Sequence, residues 1–278
     1  MKTKKTTQVS NGWKHILLMG CDSRKPGGYE RSDSMIVLSI GQRSEVRLTS
    51  IMRDIWVELP GHGEGRINAA SAYGGPELAM QVVSRYFDLQ IEKYVMANIK
   101  GMVNVIDLLG GIDLEITELE RLYLNSCTVR TQWESYSERE IPPLEHSGLV
   151  HLCGDQAVEH TRNRFDGGGD YARTARQRQV LKAIVKKIRT KKNPLWLFGI
   201  ARRGRKWVQT NLNPLELGRI ALLALRTNPD AIGSFRIPAE GTYTEIAGKG
   251  WHFETDFEKN RQLLREFLKN GGESDEMR

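Results

Sequence analysis

The sequence lacks any long hydrophobic run. Its longest aliphatic cluster, ALLAL at 221–225, is far shorter than the roughly eighteen apolar residues that a membrane-spanning helix needs. The start, MKTKKTTQVSNGW, is basic and polar and has no apolar stretch of the kind found in signal peptides. We therefore expect a soluble chain without a membrane anchor, in which residues 1–13 are a tail, either natural or left by trimming.

Cysteine is also scarce. The three cysteines form no CxxC pair and no disulfide framework. If the protein is exported, a bridge between Cys127 and Cys153 is one option, with Cys21 buried in a strand, but spacing does not show whether two thiols meet. Zinc is not expected, because the histidines around Cys153 fit no standard ligand spacing: His146, His151 and His160.

The signatures of nucleic-acid-binding domains are missing as well. There is no recognition-helix pattern, no zinc-finger spacing and no aromatic ladder for single strands. The chain nevertheless carries 41 basic against 34 acidic residues, a net charge of +7. This surplus suggests an anionic partner: a nucleic acid, a lipid head group, a phosphorylated substrate or an acidic polymer.

Strand patterns alternate with helical patterns along 278 residues, of which 39% are hydrophobic. The predicted strands are HILLMG (15–20), SMIVLSI (34–40), VRLTSI (46–51), IWVEL (55–59), YVMANI (94–99), IDLEI (112–116) and one near IGSFRIP (232–238). Helices are predicted after Pro76, over 101–109, after an Asn213 cap with Glu216, and from Asp256. We expect a glycine-rich loop at 60–65 and an irregular excursion at 117–150. The alternation predicts one α/β domain over 14–278.

The densest charge lies in HTRNRFDGGGDYARTARQRQ (160–179), which contains five arginines. At about 100° per residue, Arg173 and Gln177 continue the apolar stripe of a helix that begins just after three glycines. A cation on that stripe is costly unless an anion meets it, so the pattern favours an anion site at the helix start. Asp170 is expected to cap this helix or to hold an arginine.

Upstream of the glycines, Arg162 and Arg164 alternate around Asn163. In an extended segment the two side chains would project to the same side. A solvated basic helix behind a flexible loop is the competing interpretation of the whole stretch.

Charged residues also flank three predicted strands. They are Asp22 and Arg24, Arg31 and Asp33, and Arg53 and Asp54. Strand ends gather at one edge of a sheet, where α/β proteins bind ligands. Two carboxylates among arginines suit Mg²⁺, which takes one or two carboxylates together with phosphate oxygens and water. Surface salt bridges and turn caps would explain any single aspartate here, but explain three successive strand ends less well.

An ordered series of motifs resembles the LytR-CpsA-Psr family. The motifs are GCDSR (20–24), RSDSMIVLSI (31–40), SIMRDIWVELPG (50–61), RINAASAYGG (66–75), LLGGIDLEI (108–116), the RNR and GGGDYARTARQRQVL tract, WVQTNL (207–212) and RIP (236–238). The resemblance implies a central mixed β-sheet sandwiched between α-helical layers, with a hydrophobic tunnel for a lipid. It also implies an enzyme at the bacterial cell surface, on the outer face of the cytoplasmic membrane.

The implied reaction moves an anionic glycopolymer, such as teichoic acid or capsule, from a polyprenyl pyrophosphate carrier to peptidoglycan. The resemblance places Mg²⁺ or Mn²⁺ on Asp22 and Asp33, and makes Asp33 catalytic with Arg31, Arg53, Arg164 and Arg173. The substrate-binding residues it implies are Arg24, Arg66, Arg162, Asp170, Arg176 and Gln177. A nucleic-acid-binding regulator and a non-catalytic polymer- or lipid-binding module are the alternatives.

The chain departs from the family pattern near these positions. Met52 stands in place of a proline, Arg66 in place of a lysine, and Cys153 in place of an asparagine. Glu159 and His160 replace a small residue and an aromatic one. Candidates for the lining of the implied tunnel are helical faces at 76–88 and 101–109 and three apolar side chains: Leu195, Trp196 and Phe198. For each residue taken singly, ordinary core packing is the favoured interpretation.

Overall fold

The computed structural model describes residues 12–22, 30–131, 141–164, 168–191, 193–247 and 250–271. Its strands are β1 (Lys14–Cys21), β2 (Ser32–Ile40), β3 (Val46–Ile51), β4 (Trp56–Leu59), β5 (Gly63–Arg66), β6 (Ile91–Asn98), β7 (Ile112–Ile116), β8 (Gly148–Leu152), β9 (Gln209–Thr210), β10 (Gly233–Ile237), β11 (Tyr243–Ile246) and β12 (His252–Thr255). Its helices are α1 (Ala69–Phe87), α2 (Ile99–Leu108), α3 (Glu118–Thr131), α4 (Gly154–Arg162), α5 (Gly169–Lys191), α6 (Pro194–Gly204), α7 (Pro214–Arg226) and α8 (Phe257–Asn270).

The main sheet is mixed and has the strand order β10-β3-β2-β1-β6-β9. β10 pairs with β3 in parallel, whereas β2 with β3 and β6 with β9 are antiparallel. With helices flanking this sheet, the predicted α/β class with a central mixed sheet is confirmed. All seven predicted strands are present within a few residues of their expected bounds.

The chain divides into two compact units. The first comprises residues 1–18, 29–94 and 233–278, and the second comprises 19–28 and 95–232. The assignment of 14–278 to one catalytic domain stays a prediction.

The first unit is built around large side chains that are fully buried, among them Ile36, Met52, Ile55, Phe87 and Phe253. Its helix α1 is kinked where Gly75 has a φ of 66°, a left-handed conformation that favours glycine. Pro76 then starts the second helical segment, because its fixed φ suits a first helical turn. The predicted helix start at Pro76 is therefore confirmed, although a first segment precedes it.

The second unit packs α2, α3, α4 and α5 around a two-stranded antiparallel sheet of β7 and β8. Its core contains Val103, Ile106, Ile112, Leu124 and Leu152. In the small sheet, Ile112 pairs with Leu152 and Ile116 with Gly148. Apolar and polar residues alternate along β7, so that its isoleucines and leucine face the core and its acidic residues face outward.

Two predictions of irregular structure were wrong in part. The segment 117–150 contains α3, whose start is fixed by a reciprocal cap: the Thr117 backbone N–H donates to the Glu120 carboxylate at 2.9 Å, and the Glu120 N–H donates to Thr117 Oγ1 at 3.3 Å. In the predicted glycine-rich loop at 60–65, residues 60–62 form the turn of a β4–β5 hairpin and the rest belongs to β5, in which Arg66 pairs with Trp56. In both places local hydrogen bonding outweighs a weak apolar pattern.

Across the described ranges, no helix has both the length and the apolar character required to cross a membrane.

Candidate functional site

In the first unit, an ion pair joins two of the predicted catalytic residues. Arg53 Nη1 donates to Asp33 Oδ1 at 2.7 Å. Ile36 of β2 pairs with Ser50 of β3, and continuing this antiparallel register by three residues on each strand places Asp33 opposite Arg53. The predicted meeting of charges at these two strand ends is therefore confirmed.

Asp54 extends this pair into a four-residue cluster. Its buried carboxylate accepts from Arg53 Nε at 3.3 Å, and its other oxygen lies 3.2 Å from Arg66 Nη1. Arg66 Nη2 also donates to the Trp251 carbonyl at 2.8 Å. Because each guanidinium contacts more than one oxygen, the orientations of Arg53 and Arg66 are fixed. Both side chains remain partly exposed.

Arg31 lies at the start of β2 with an exposed side chain. It forms no ion pair with any residue in the described part of the chain. Its charge is thus available to an anion without breaking an internal contact. Arg24 was predicted to bind substrate, and it lies outside the described residues.

In the second unit, Arg162 bridges two carboxylates. Its Nη1 donates to Glu159 Oε1 at 3.0 Å, and its Nη2 lies 3.7 Å from Asp22 Oδ2. Arg162 is the last residue of α4, so it is not in the extended segment predicted for it. The expectation that it projects beside Arg164 from one extended strand was wrong for this reason.

Glu159 is a buried carboxyl beside this arginine. Burial raises the pKa of Glu159 above its usual value, although the charge and hydrogen bond of Arg162 oppose that shift. Burial also raises the pKa of the nearby Tyr123, helped by the thiol of Cys127 and the charge of Glu159. Arg162 is therefore paired with a glutamate that binds a proton more readily than a glutamate in water does.

Asp170 holds the two arginines at the start of α5. Arg164 Nη2 lies 3.2 Å from Asp170 Oδ1, and Arg173 Nη1 lies 3.4 Å from both carboxylate oxygens. This confirms the expectation that Asp170 holds an arginine. Gly169 starts the helix with a φ of 54°.

Arg173 and Gln177 are buried near the start of α5, as predicted. Arg176 and Arg178 are buried as well, so burial in this part of the helix is not confined to the predicted stripe. Arg173 thus places a buried cation next to Asp170.

Arg176 makes a buried network with a residue that the sequence pattern did not single out. Its Nε donates to Glu120 Oε1 at 2.8 Å, and its Nη1 donates to the Asn163 carbonyl at 2.9 Å. Burial alone would raise the pKa of Glu120, but hydrogen bonds from the Thr117 backbone and from Arg176 outweigh it, so the pKa lies below its usual range. The signal that could have found Glu120 is the TELE cap motif at 117–120.

His160 is fully buried beside this network. Its Nδ1 lies 3.9 Å from Glu120 Oε1. Burial lowers the pKa of His160, although Glu120 opposes the shift. Arg176 and His160 therefore link α3, α4 and α5 from inside the second unit, and Arg176 has the contacts of a positioning residue.

Aspartate carboxylates are present at both predicted metal-binding positions. Asp33 of the first unit is partly buried and is approached by Arg53, and Asp22 of the second unit is exposed and is approached by Arg162. No group of three acidic, histidine or cysteine side chains that could hold a metal occurs among the described residues. Each aspartate, taken by itself, offers the oxygen ligands that Mg²⁺ takes together with phosphate oxygens and water.

Cys127 and Cys153 are not joined by a disulfide in the part of the chain that is described. His151, one of the histidines near Cys153, bonds instead to Asp113, with 2.6 Å between Nδ1 and Oδ1. Leu195 and Phe198 are exposed on α6, and the lipid tunnel that the resemblance implies stays a prediction.

The model of the LytR_cpsA_psr family matches residues 1–267 of this chain. A polyisoprenyl-teichoic acid–peptidoglycan teichoic acid transferase, TagU, of Enterococcus faecalis is 33% identical over 62% of this chain and 53% of its own length. Biofilm regulatory protein A of Streptococcus mutans is 31% identical over 90% of this chain and 61% of its own length. The chain thus spans a little over half the length of these two relatives.

The crystal structure of B. subtilis TagV resembles this chain with a TM-score of 0.73 and 27% identity. The likeness covers 93% of this chain and 98% of that one.

Proposed function

Because the chain belongs to the LytR-CpsA-Psr family, we propose that it transfers an anionic glycopolymer from a polyprenyl pyrophosphate carrier to a sugar hydroxyl of peptidoglycan. The polymer would be a teichoic acid, a capsule or a related chain. The observation that carries this proposal is the set of arginines held by carboxylates at the predicted positions, above all Arg53 on Asp33 and Arg164 with Arg173 on Asp170. A relative named as a teichoic acid transferase supports it.

Transfer of a phosphoryl-linked polymer needs charge neutralisation and alignment more than it needs a covalent nucleophile. Guanidinium groups supply both, because their planar N–H donors match phosphate oxygens. In the first unit Arg31 and Arg53 would bind phosphate oxygens, and Arg66 would orient Arg53 through Asp54. In the second unit Arg162, Arg164 and Arg173 would do so, with Gln177 beside Arg173.

The bond changes are as follows. The oxygen of the acceptor hydroxyl attacks the phosphorus that bears the glycopolymer, and the bond from that phosphorus to the bridging oxygen of the pyrophosphate breaks. Polyprenyl phosphate leaves, and the hydroxyl proton passes to a carboxylate acting as general base. Asp33 or Asp22 would fill this role. Water in place of the sugar would give a pyrophosphatase side reaction.

Asp22 and Asp33 would also hold Mg²⁺ or Mn²⁺ through their carboxylate oxygens. When bound, such an ion neutralises charge that develops on the leaving phosphate. Base and metal ligand are different roles for the same two side chains, and the two roles respond differently to Asp→Asn substitution and to metal titration.

With this acceptor and carrier, the protein would act at the cell surface, on the outer face of the cytoplasmic membrane. The test is transfer by the purified chain from polyprenyl pyrophosphate-linked polymer to peptidoglycan strands, measured as covalently attached polymer with and without Mg²⁺. Arg164→Ala should lower transfer by about a hundredfold. Arg85→Ala, which removes an exposed arginine that contacts Glu58, is the matched control.

Two rivals give different results in the same preparation. A regulator would bind DNA in a salt-sensitive way and transfer nothing. A non-catalytic module would bind the lipid-linked polymer and leave it intact. Either result would overturn the proposal.

A further inference from the structure

Helices α6 and α7 of the second unit carry an apolar surface that no other described residue covers. Leu195 is 83% exposed and Phe198 is 61% exposed on α6; Leu215 is 76% exposed and Leu222 is 44% exposed on α7. The two helices pack against each other. Helix α7 has no buried residue along its described length, although six of its thirteen side chains are leucine or isoleucine.

The exposed positions on each helix form one stripe that mixes apolar and basic side chains. On α6, Leu195, Phe198 and Arg202 are spaced i, i+3 and i+7, while Leu197 and Ile200 on the opposite side are buried. On α7 the stripe consists of Leu215, Arg219, Leu222 and Arg226, all exposed. A stripe of this kind differs from a solvated helix face, where charges of both signs replace the leucines.

The charge around these stripes has one sign. Between residues 193 and 226 there is a single acidic residue, Glu216, against six basic ones: Arg202, Arg203, Arg205, Lys206, Arg219 and Arg226. A groove of about 530 Å³ beside α7 adds Lys186 and Arg189, together with Thr190 and Leu225. The surface therefore combines exposed leucine and phenylalanine with an almost wholly positive rim.

We propose that the α6–α7 surface docks onto an anionic phospholipid bilayer. Leucine and phenylalanine would enter the boundary between head groups and acyl chains, and the long arginine and lysine side chains would reach the phosphates. The proposal rests on the proposed function only for the presence of a membrane where the protein acts. A second copy of this chain fits the surface poorly, because a two-fold contact would set the positive rim against itself. Nucleic acid fits poorly because phosphates give the leucines nothing to contact.

The test is cosedimentation of the full chain with phosphatidylglycerol–phosphatidylcholine vesicles and with pure phosphatidylcholine vesicles. No polyprenyl lipid is present, so binding is measured independently of transfer. We expect binding to the anionic vesicles that weakens in 1 M salt, where the Debye length is about 3 Å. We also expect binding to the neutral vesicles that is at least about tenfold weaker.

Two variants separate the apolar and the basic contributions. Leu195→Ser with Phe198→Ser should weaken binding at least about fivefold. Arg202→Glu with Arg203→Glu should weaken it at least about tenfold, since each cation near an anionic surface contributes severalfold. The matched control is Leu119→Ser with Leu149→Ser, which removes two leucines of similar exposure, 68% and 64%, on α3 and β8. All six side chains are exposed, so these changes should leave the fold intact, which circular dichroism checks.

Several results would overturn the proposal. They are equal binding to neutral and anionic vesicles, no binding at all, and equal losses in the control. Sedimentation velocity tests for self-association. If the chain self-associates without lipid and Leu195→Ser with Phe198→Ser makes it monomeric, the α6–α7 surface is an interface between two copies of the chain and the proposal is overturned. Failure of transfer with intact vesicle binding would refute the proposed function alone.

Discussion

Arg53 and Asp33 form an ion pair of 2.7 Å between ends of neighbouring antiparallel strands, and the same guanidinium also reaches the buried Asp54. Arg31, which comes two residues before Asp33, makes no such contact within the described ranges. Arg31 and Arg53 are both proposed to bind phosphate, but they differ in their contacts within the protein. One is part of the fold as well as a candidate for phosphate binding, and the other is exposed.

This difference predicts that activity and stability separate at the two positions. Arg31→Ala should lower glycopolymer transfer by about a hundredfold and change the free energy of unfolding by less than about 0.5 kcal/mol. Arg53→Ala should lower transfer similarly and also cost about 1–2 kcal/mol, because Asp54 stays buried and loses one of its donors. Transfer assays and urea unfolding of both variants check this. Normal transfer by Arg31→Ala would remove it from the site.

The buried pair of Glu120 and Arg176 predicts a large stability effect. Glu120→Ala should destabilise the chain by about 3 kcal/mol, because it leaves the Arg176 guanidinium buried without its carboxylate. Replacing both residues, Glu120→Leu with Arg176→Met, should recover part of that loss in urea unfolding. Glu118→Ala, at an exposed glutamate two residues earlier, is the control and should have a much smaller effect. Equal losses of unfolding free energy at Glu118 and Glu120 would contradict a stabilising role of the buried ion pair.

Glu159 predicts a pH-dependent gain in stability on substitution. Since burial raises the pKa of Glu159 in the folded state, the unfolded chain loses this proton at a lower pH. The folded state therefore has its advantage at acidic pH and loses it as the pH rises through the folded-state pKa. Glu159→Gln should be more stable relative to the original chain at pH 8 than at pH 4.5. Urea midpoints of the two proteins at both pH values measure the difference, and parallel curves would contradict the prediction.

His15 predicts acid sensitivity of the first unit. Its Nδ1 bonds to Ser39 Oγ at 2.9 Å, and burial lowers its pKa to about 4. An unfolded histidine titrates near 6.5, so the unfolded state binds more protons as the pH falls from 6.5 towards 4, and about 2–3 kcal/mol of stability is lost over that interval. His15→Gln should flatten the pH dependence of the unfolding free energy. His62→Gln, at an exposed histidine, should not; if it does, buried His15 is not the cause.

The strands and caps were predictable because they depend on neighbouring residues. Short runs rich in aliphatic residues, SMIVLSI and VRLTSI, predicted β2 and β3. Asn213 with Glu216 predicted the start of α7, where both cap hydrogen bonds are present. Helix α3 was missed because its apolar face is narrow: Leu124 and Cys127 are its buried apolar residues among those whose side chains are described. The cap at Thr117 and Glu120 carried the only clear local signal.

The candidate site also has features that were predictable from the sequence and features that were not. The family, the α/β class and the burial of Arg173 and Gln177 could be predicted from the chain alone, because motifs are read in order and backbone geometry repeats every 3.6 residues in a helix and every two in a strand. Which carboxylate each arginine meets could be seen only in the folded structure. Arg176 bonds to Glu120, 56 residues earlier, and Arg162 reaches Asp22 at the end of β1. These ion pairs form because helices and strands distant in sequence pack together, and the spacing of residues along the chain does not predict that packing.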